Sequence, residues 1–134
     1  MKRFFTLFAL TSLFMLLAND CQAQICINIR YNGANGNARK YVEEMEKSGI
    51  ADRIRSVEGC IRYEYYYPAN DPEAVLLIDE WEDQAALNRY HSSPAMTEAG
   101  ALREKYQLGN RQVRMFRPAM PPQNGQNPPQ NPQK

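Results

Sequence analysis

The sequence predicts an α+β domain of ferredoxin-like order, β-α-β-β-α-β, with four antiparallel strands and helices on one face. Three observations predict it. Four short stretches favour strand: residues 25–31, 60–67, 75–78 and 112–117. Two longer stretches, 38–57 and 83–106, carry apolar residues at helical spacing. Their order puts only the second and third strands next to each other in sequence, which is the split β-α-β pattern.

The chain of 134 residues opens with Lys2-Arg3 and an apolar run from Phe4 to Leu17. That run is short for a transmembrane helix and has the shape of a secretory signal. Cys21-Gln22-Ala23 offers small residues for a signal peptidase, and cleavage is expected after Ala23. The alternatives are a retained membrane anchor and lipidation at Cys21, where Asp20 occupies a position that wants a small residue. The reading is an exported protein, periplasmic or extracellular, with no membrane attachment once processed. Removing residues 1–23 takes away two of 16 basic and one of 15 acidic residues, so the mature chain carries no net charge. A neutral chain without a basic stripe excludes a general attraction to nucleic acid.

Ile25, Ile27, Ile29 and Tyr31 form one face of the first strand; Cys26, Asn28 and Arg30 form the other. The loop 32–37 has two glycines but lacks the Gly-x-Gly-x-x-Gly spacing of a dinucleotide site. Tyr41, Val42, Met45, Ile50, Ile54 and Val57 give the first helical stretch its apolar side, interrupted at Ser48-Gly49. In the second strand Ile61, Tyr63, Tyr65 and Tyr67 are expected on one side and Arg62, Glu64 and Tyr66 on the other.

Val75 to Ile78 reads as the third strand, followed by Asp79, Glu80 and the single tryptophan, Trp81. Apolar residues occupy both its faces, so both should be buried. A second copy of the sheet is the simplest cover for the face without helices. Asp83 can cap the next helix, and Ala86, Leu87 and Tyr90 give it an apolar side. Ser93-Pro94 marks a helix restart, and the single histidine, His91, lies between the two pieces. Leu108-Gly109-Asn110 ends the helix before the last strand. Residues 118–134 hold six of nine prolines and almost nothing apolar. The domain is drawn as 24–118 and the remainder, 119–134, as a disordered tail.

The first and second strands flank the third in this order, roughly 9–10 Å apart. A disulfide needs Cα atoms within about 7 Å, so Cys26 and Cys60 are expected not to pair within the chain. One histidine excludes a two-histidine iron site within one chain and a His-Glu-x-x-His zinc site. No P-loop, nucleophile elbow, flavin or nicotinamide signature is present.

Two segments carry a family resemblance. Glu80-Trp81-Glu82-Asp83-Gln84-Ala85-Ala86-Leu87 with Tyr90-His91-Ser92-Ser93-Pro94-Ala95-Met96, and Val57-Glu58-Gly59-Cys60-Ile61-Arg62-Tyr63 upstream, resemble the antibiotic biosynthesis monooxygenase (ABM) family, closest to its quinol monooxygenase type. The resemblance runs from about Ile25 to Pro118. Many relatives have two histidines where this chain has Tyr90-His91. The resemblance implies a homodimer in the form of a dimeric α/β barrel. It also implies oxidation of a phenolic or quinol ring by molecular oxygen, with no metal and no flavin or other cofactor. Such chemistry needs an apolar slot, a proton acceptor and exclusion of water. His91, Trp81 and Asn28 are the expected catalytic residues. Tyr63, Tyr65, Arg30 and Tyr90 are the expected substrate contacts. If His91 is structural, the base falls to a tyrosine, to a carboxylate such as Asp79 or Glu80, or to the substrate's own ionisation. Haem-degrading members place a histidine ligand at a position that falls near Gly100 here, so haem degradation is not expected. The competing readings are a non-catalytic exported binding module for a small aromatic ligand and a structural dimer.

Overall fold

β3 (Ala74–Trp81) is hydrogen-bonded along both edges and forms the middle of the sheet. The structure is a computed structural model that describes residues 24–117; the expected signal segment, 1–23, and the expected tail, 119–134, lie outside those residues. β2 (Cys60–Tyr66) and β1 (Ile25–Asn32) flank β3, and β4 (Arg111–Phe116) pairs outside β1, all antiparallel. The fold is the α+β, ferredoxin-like arrangement that the sequence predicts. Among the described residues no helix is long and apolar enough to cross a membrane.

Register decides which side chains meet. Ile25, Ile27, Ile29 and Tyr31 stand opposite Trp81, Asp79, Leu77 and Val75. Tyr63 and Tyr65 continue that row on β2, opposite Asp79 and Leu77. This face is covered by α1 (Asn37–Lys47), α2 (Ile50–Arg55), α3 (Gln84–His91) and α4 (Pro94–Lys105). The first helical stretch is two helices because Gly49 adopts φ 73°, a left-handed turn that a helix cannot continue through. α1 buries Ala38, Tyr41, Val42 and Met45; α2 buries Ile50, Ala51 and Ile54.

The caps form as the sequence suggests. Asp83 Oδ1 accepts from the Ala86 amide at 2.7 Å, and Ser93 Oγ accepts from the Met96 amide at 3.2 Å. Each such cap is worth about 1 kcal/mol. Gly59 explains the glutamate-glycine-cysteine entry into β2. Its φ is 85°, and a Cβ there would sit 2.5 Å from the Ala86 Cβ. The Gly59 carbonyl accepts from the Glu82 amide at 2.9 Å. A backbone without a side chain thus lets α3 dock against the start of β2.

Three expectations are corrected. β3 runs through Asp79 and Glu80 to Trp81 instead of ending at Ile78. A bulge between Cys60 and Arg62 breaks the alternation in β2, so Ile61 is exposed and not on the tyrosine face. Tyr67 lies past the strand end, exposed, with the Arg39 guanidinium 4.0 Å over its ring.

The second face of the sheet carries Cys26, Asn28, Arg30, Glu64, Leu76 and Ile78. Leu76 and Ile78 are half-buried there, while Tyr66 and Phe116 are exposed. Cys26 and Cys60 are free thiols on strands separated by β3.

Candidate functional site

The interior between sheet and helices is unusually aromatic. Trp81 ends β3 fully buried, and its indole stacks on Tyr90 of α3 with centroids 4.9 Å apart and planes 9° apart. Tyr90 meets Tyr63 edge-on at 6.1 Å. Tyr63 meets Tyr65 at 5.6 Å, and the Tyr65 hydroxyl donates to the Tyr63 hydroxyl at 3.2 Å. Tyr41 extends the row 6.2 Å from Tyr65, and Tyr31 follows 5.7 Å from Tyr41. Period-two alternation puts Trp81, Tyr63 and Tyr65 on the helix side; the Asp83 cap and the Gly59 seat bring Tyr90 onto them.

Asp79 lies inside this group, opposite Ile27 and Tyr63 and two residues before Trp81. It is 2% exposed, the one buried charged residue among those described. Its Oδ1 has no hydrogen-bond partner, and neither does the buried Trp81 Nε1 or the Tyr41 hydroxyl. Burial pushes the Asp79 carboxyl up to about 6, and the nearby indole N–H offsets part of that rise without closing a hydrogen bond. Burial also raises the phenols: Tyr90 to about 12, and Tyr31, Tyr63 and Tyr65 well above their ordinary range. At neutral pH these phenols hold their protons, so Asp79 is the interior group whose proton is exchangeable there.

The expected site residues divide into two groups. Trp81, Tyr63, Tyr65 and Tyr90 come together. Asn28 and Arg30 do not join them, because register places both on the opposite face of the sheet. Asn28 Oδ1 accepts from the Cys26 thiol at 3.6 Å, and Arg30 pairs with Asp71 at 2.5 Å. Both border a cavity of about 310 Å³ with Leu76, Gln112 and Arg114. His91 is exposed at the end of α3, its ring tilted 5.5 Å from Tyr90, and partial burial lowers its pKa. It does not point into the interior.

Asp79 enters the sequence argument only as a substitute base. The signal for it is the alternation itself: Val75, Leu77 and Trp81 share its face, so an acid in that row must be buried. Arg103 of α4 was not singled out. It follows Ala95 and Ala99 along the buried stripe, and a cation at that spacing is the clue. Arg103 borders a cavity of about 620 Å³ at the C-terminal end of α4. Its charge is felt by Tyr90, Tyr31 and Tyr41.

The family assignment rests on comparison of the whole domain. Residues 24–102 match the family model described as antibiotic biosynthesis monooxygenase. The chain belongs to the antibiotic biosynthesis monooxygenase family. Solved structures with this fold include a protein from Pseudomonas aeruginosa, 19% identical with a TM-score of 0.63, covering 75% of this chain and 98% of that one. Candidate antibiotic biosynthesis monooxygenases from Deinococcus radiodurans and Caulobacter crescentus are also similar. The first is 16% identical with a TM-score of 0.62, covering 77% of this chain and 99% of its own. The second is 13% identical with a TM-score of 0.65, covering 75% and 93%. At these identities the likeness shows the ABM fold alone. No curated protein matches the sequence. Monooxygenase chemistry is therefore supported at the level of the ABM family.

Proposed function

We propose that the protein oxidises a hydroquinone or related polyphenol with molecular oxygen and without a cofactor. The observation that carries this reading is Asp79, a buried carboxyl with a free oxygen, titrating near neutral among aromatic rings. A phenol is a poor reductant and its phenolate a good one. A base whose pKa lies near the working pH removes that proton efficiently. Asp79 takes the hydroxyl proton of the substrate. Trp81 supplies a flat face, which the Tyr90 ring occupies in the closed interior. Tyr90 lies within the electrostatic reach of both Asp79 and Arg103, so a ring taking its place would stand between an acid and a guanidinium.

The overall reaction balances without an outside reductant. A hydroquinone and one O2 give a hydroxyquinone and one water. The ring supplies all four electrons: two leave as the hydroquinone becomes a quinone, two as a C–H becomes C–OH. One oxygen atom enters the ring and the other leaves as water. Burial keeps solvent from the reacting phenolate.

The same reading includes export after Ala23 and pairing of two copies through the second sheet face. Leu76 and Ile78, half-buried beside exposed Tyr66 and Phe116, support that pairing. One observation favours the structural-dimer alternative: Trp81, Tyr63 and Tyr90 fill the interior with their own rings. An oxygen electrode separates the two, using a panel of hydroquinones and naphthohydroquinones. Uptake of one O2 per ring, above the rate of autoxidation, supports oxidation. No uptake above that rate with any member contradicts it.

A further inference from the structure

Four arginines among the described residues are half-buried: Arg30, Arg55, Arg62 and Arg103. Three of them hold a carboxylate. Arg30 pairs with Asp71, Arg55 with Glu46 and Asp52, and Arg62 with Glu80. Arg103 pairs with no carboxylate among the described residues, although it is withdrawn from water and faces phenols. A guanidinium taken partly out of water without an anion is costly. It also borders the cavity of about 620 Å³, a volume within the range of small-molecule sites.

The walls of that cavity narrow the choice of ligand. Arg111 of β4 adds a second guanidinium, and Glu104 one opposing charge. Leu108, fully buried, gives an apolar floor. Gly100 leaves room above Arg103, since a Cβ there would come within 3.4 Å of its Nη2. Beyond Arg103 stand Tyr31, Tyr41 and Tyr90. A space lined mostly by polar residues, with one apolar floor and two guanidiniums, suits an anionic ligand, and the fork of Arg103 can hold one carboxylate with two parallel hydrogen bonds. The mature chain carries no net charge, so this preference is local.

We propose that Arg103, assisted by Arg111, anchors the carboxylate of an acidic hydroquinone, with the ring directed toward the aromatic interior. The inference rests on the oxidation reading for the choice of a phenolic ring, and its test does not depend on turnover. Titration calorimetry under anaerobic conditions compares gentisate, a carboxylated hydroquinone, with hydroquinone itself. Gentisate should bind about tenfold or more tightly, the scale of a hydrogen-bonded charge pair. Arg103→Gln should abolish that preference. Arg111→Gln, on an exposed edge strand and tolerant of change, should reduce the preference in part, and keeps the test valid if Arg103→Gln misfolds. Equal affinities in the unaltered protein overturn the anchor, and so does an undiminished preference in both variants. If gentisate binds preferentially but no hydroquinone consumes oxygen, the anchor stands and oxidation falls. If hydroquinone is oxidised as readily as gentisate with the same affinity, oxidation stands and the anchor falls.

Discussion

Asp79 Oδ1 and Trp81 Nε1 lie on the same face of β3, both buried and both without a hydrogen-bond partner. An acceptor and a donor side by side, neither engaged, are an arrangement that a packed core usually avoids, because each orphaned group costs roughly 1–3 kcal/mol. The pair makes sense as a place where a polar ligand group completes the bonding.

The raised pKa of Asp79 has a consequence for stability. Its carboxyl titrates at about 6 when folded, against the 3.8 ordinary for an aspartate in water. A raised carboxyl favours the protonated form in the folded state. Wild-type stability should therefore fall as pH rises from about 4 to about 6, by roughly 3 kcal/mol, and then level off. Asp79→Asn removes that loss. Urea unfolding of both proteins from about pH 4 to 8 checks it. A stability difference that stays constant across this range would mean that Asp79 is not shifted.

Trp81→Phe keeps an aromatic surface but leaves part of the space beneath Tyr90 unfilled. It should cost about 1–3 kcal/mol and weaken anaerobic hydroquinone binding more than it slows turnover. Thermal melts and calorimetry of the variant measure the two effects separately. Unchanged affinity would mean that Trp81 serves packing only.

Gly59→Ala should destabilise the protein by about 2–3 kcal/mol, through the positive φ and the clash with Ala86. The seat of α3 should loosen with it. Hydrogen exchange at the amides of residues 84–91 reports that loosening, and exchange as slow as in the unaltered protein would place the strain elsewhere.

The pairing of two copies predicts a dimer at micromolar concentration by sedimentation equilibrium. Leu76→Lys places a charge on the second sheet face and should give a monomer that still folds. A monomeric unaltered protein contradicts the pairing.

Much of the fold was legible because strand and helix periods are local. The Asp83 and Ser93 caps and the break at Gly49 were written in the residues themselves. Ile61 was not, because a bulge depends on how β2 pairs with β3. The site was legible in part. Trp81, Tyr63, Tyr65 and Tyr90, which the family resemblance singled out, come together in the interior. Asn28 and Arg30 fell on the wrong side because the facing of β1 against β3 is a matter of register. His91 sits at the helix junction as read, but a junction does not say which way a side chain turns.

The most direct test of the account is the pH dependence of oxygen uptake with one accepted hydroquinone, in the unaltered protein, Asp79→Asn and His91→Ala. The account predicts that turnover of the unaltered protein rises through about pH 6, as Asp79 ionises. It predicts that Asp79→Asn loses that step and falls about 100-fold or more in turnover, while His91→Ala keeps both rate and profile. An Asp79→Asn variant with unchanged rate and the same pH step would contradict it.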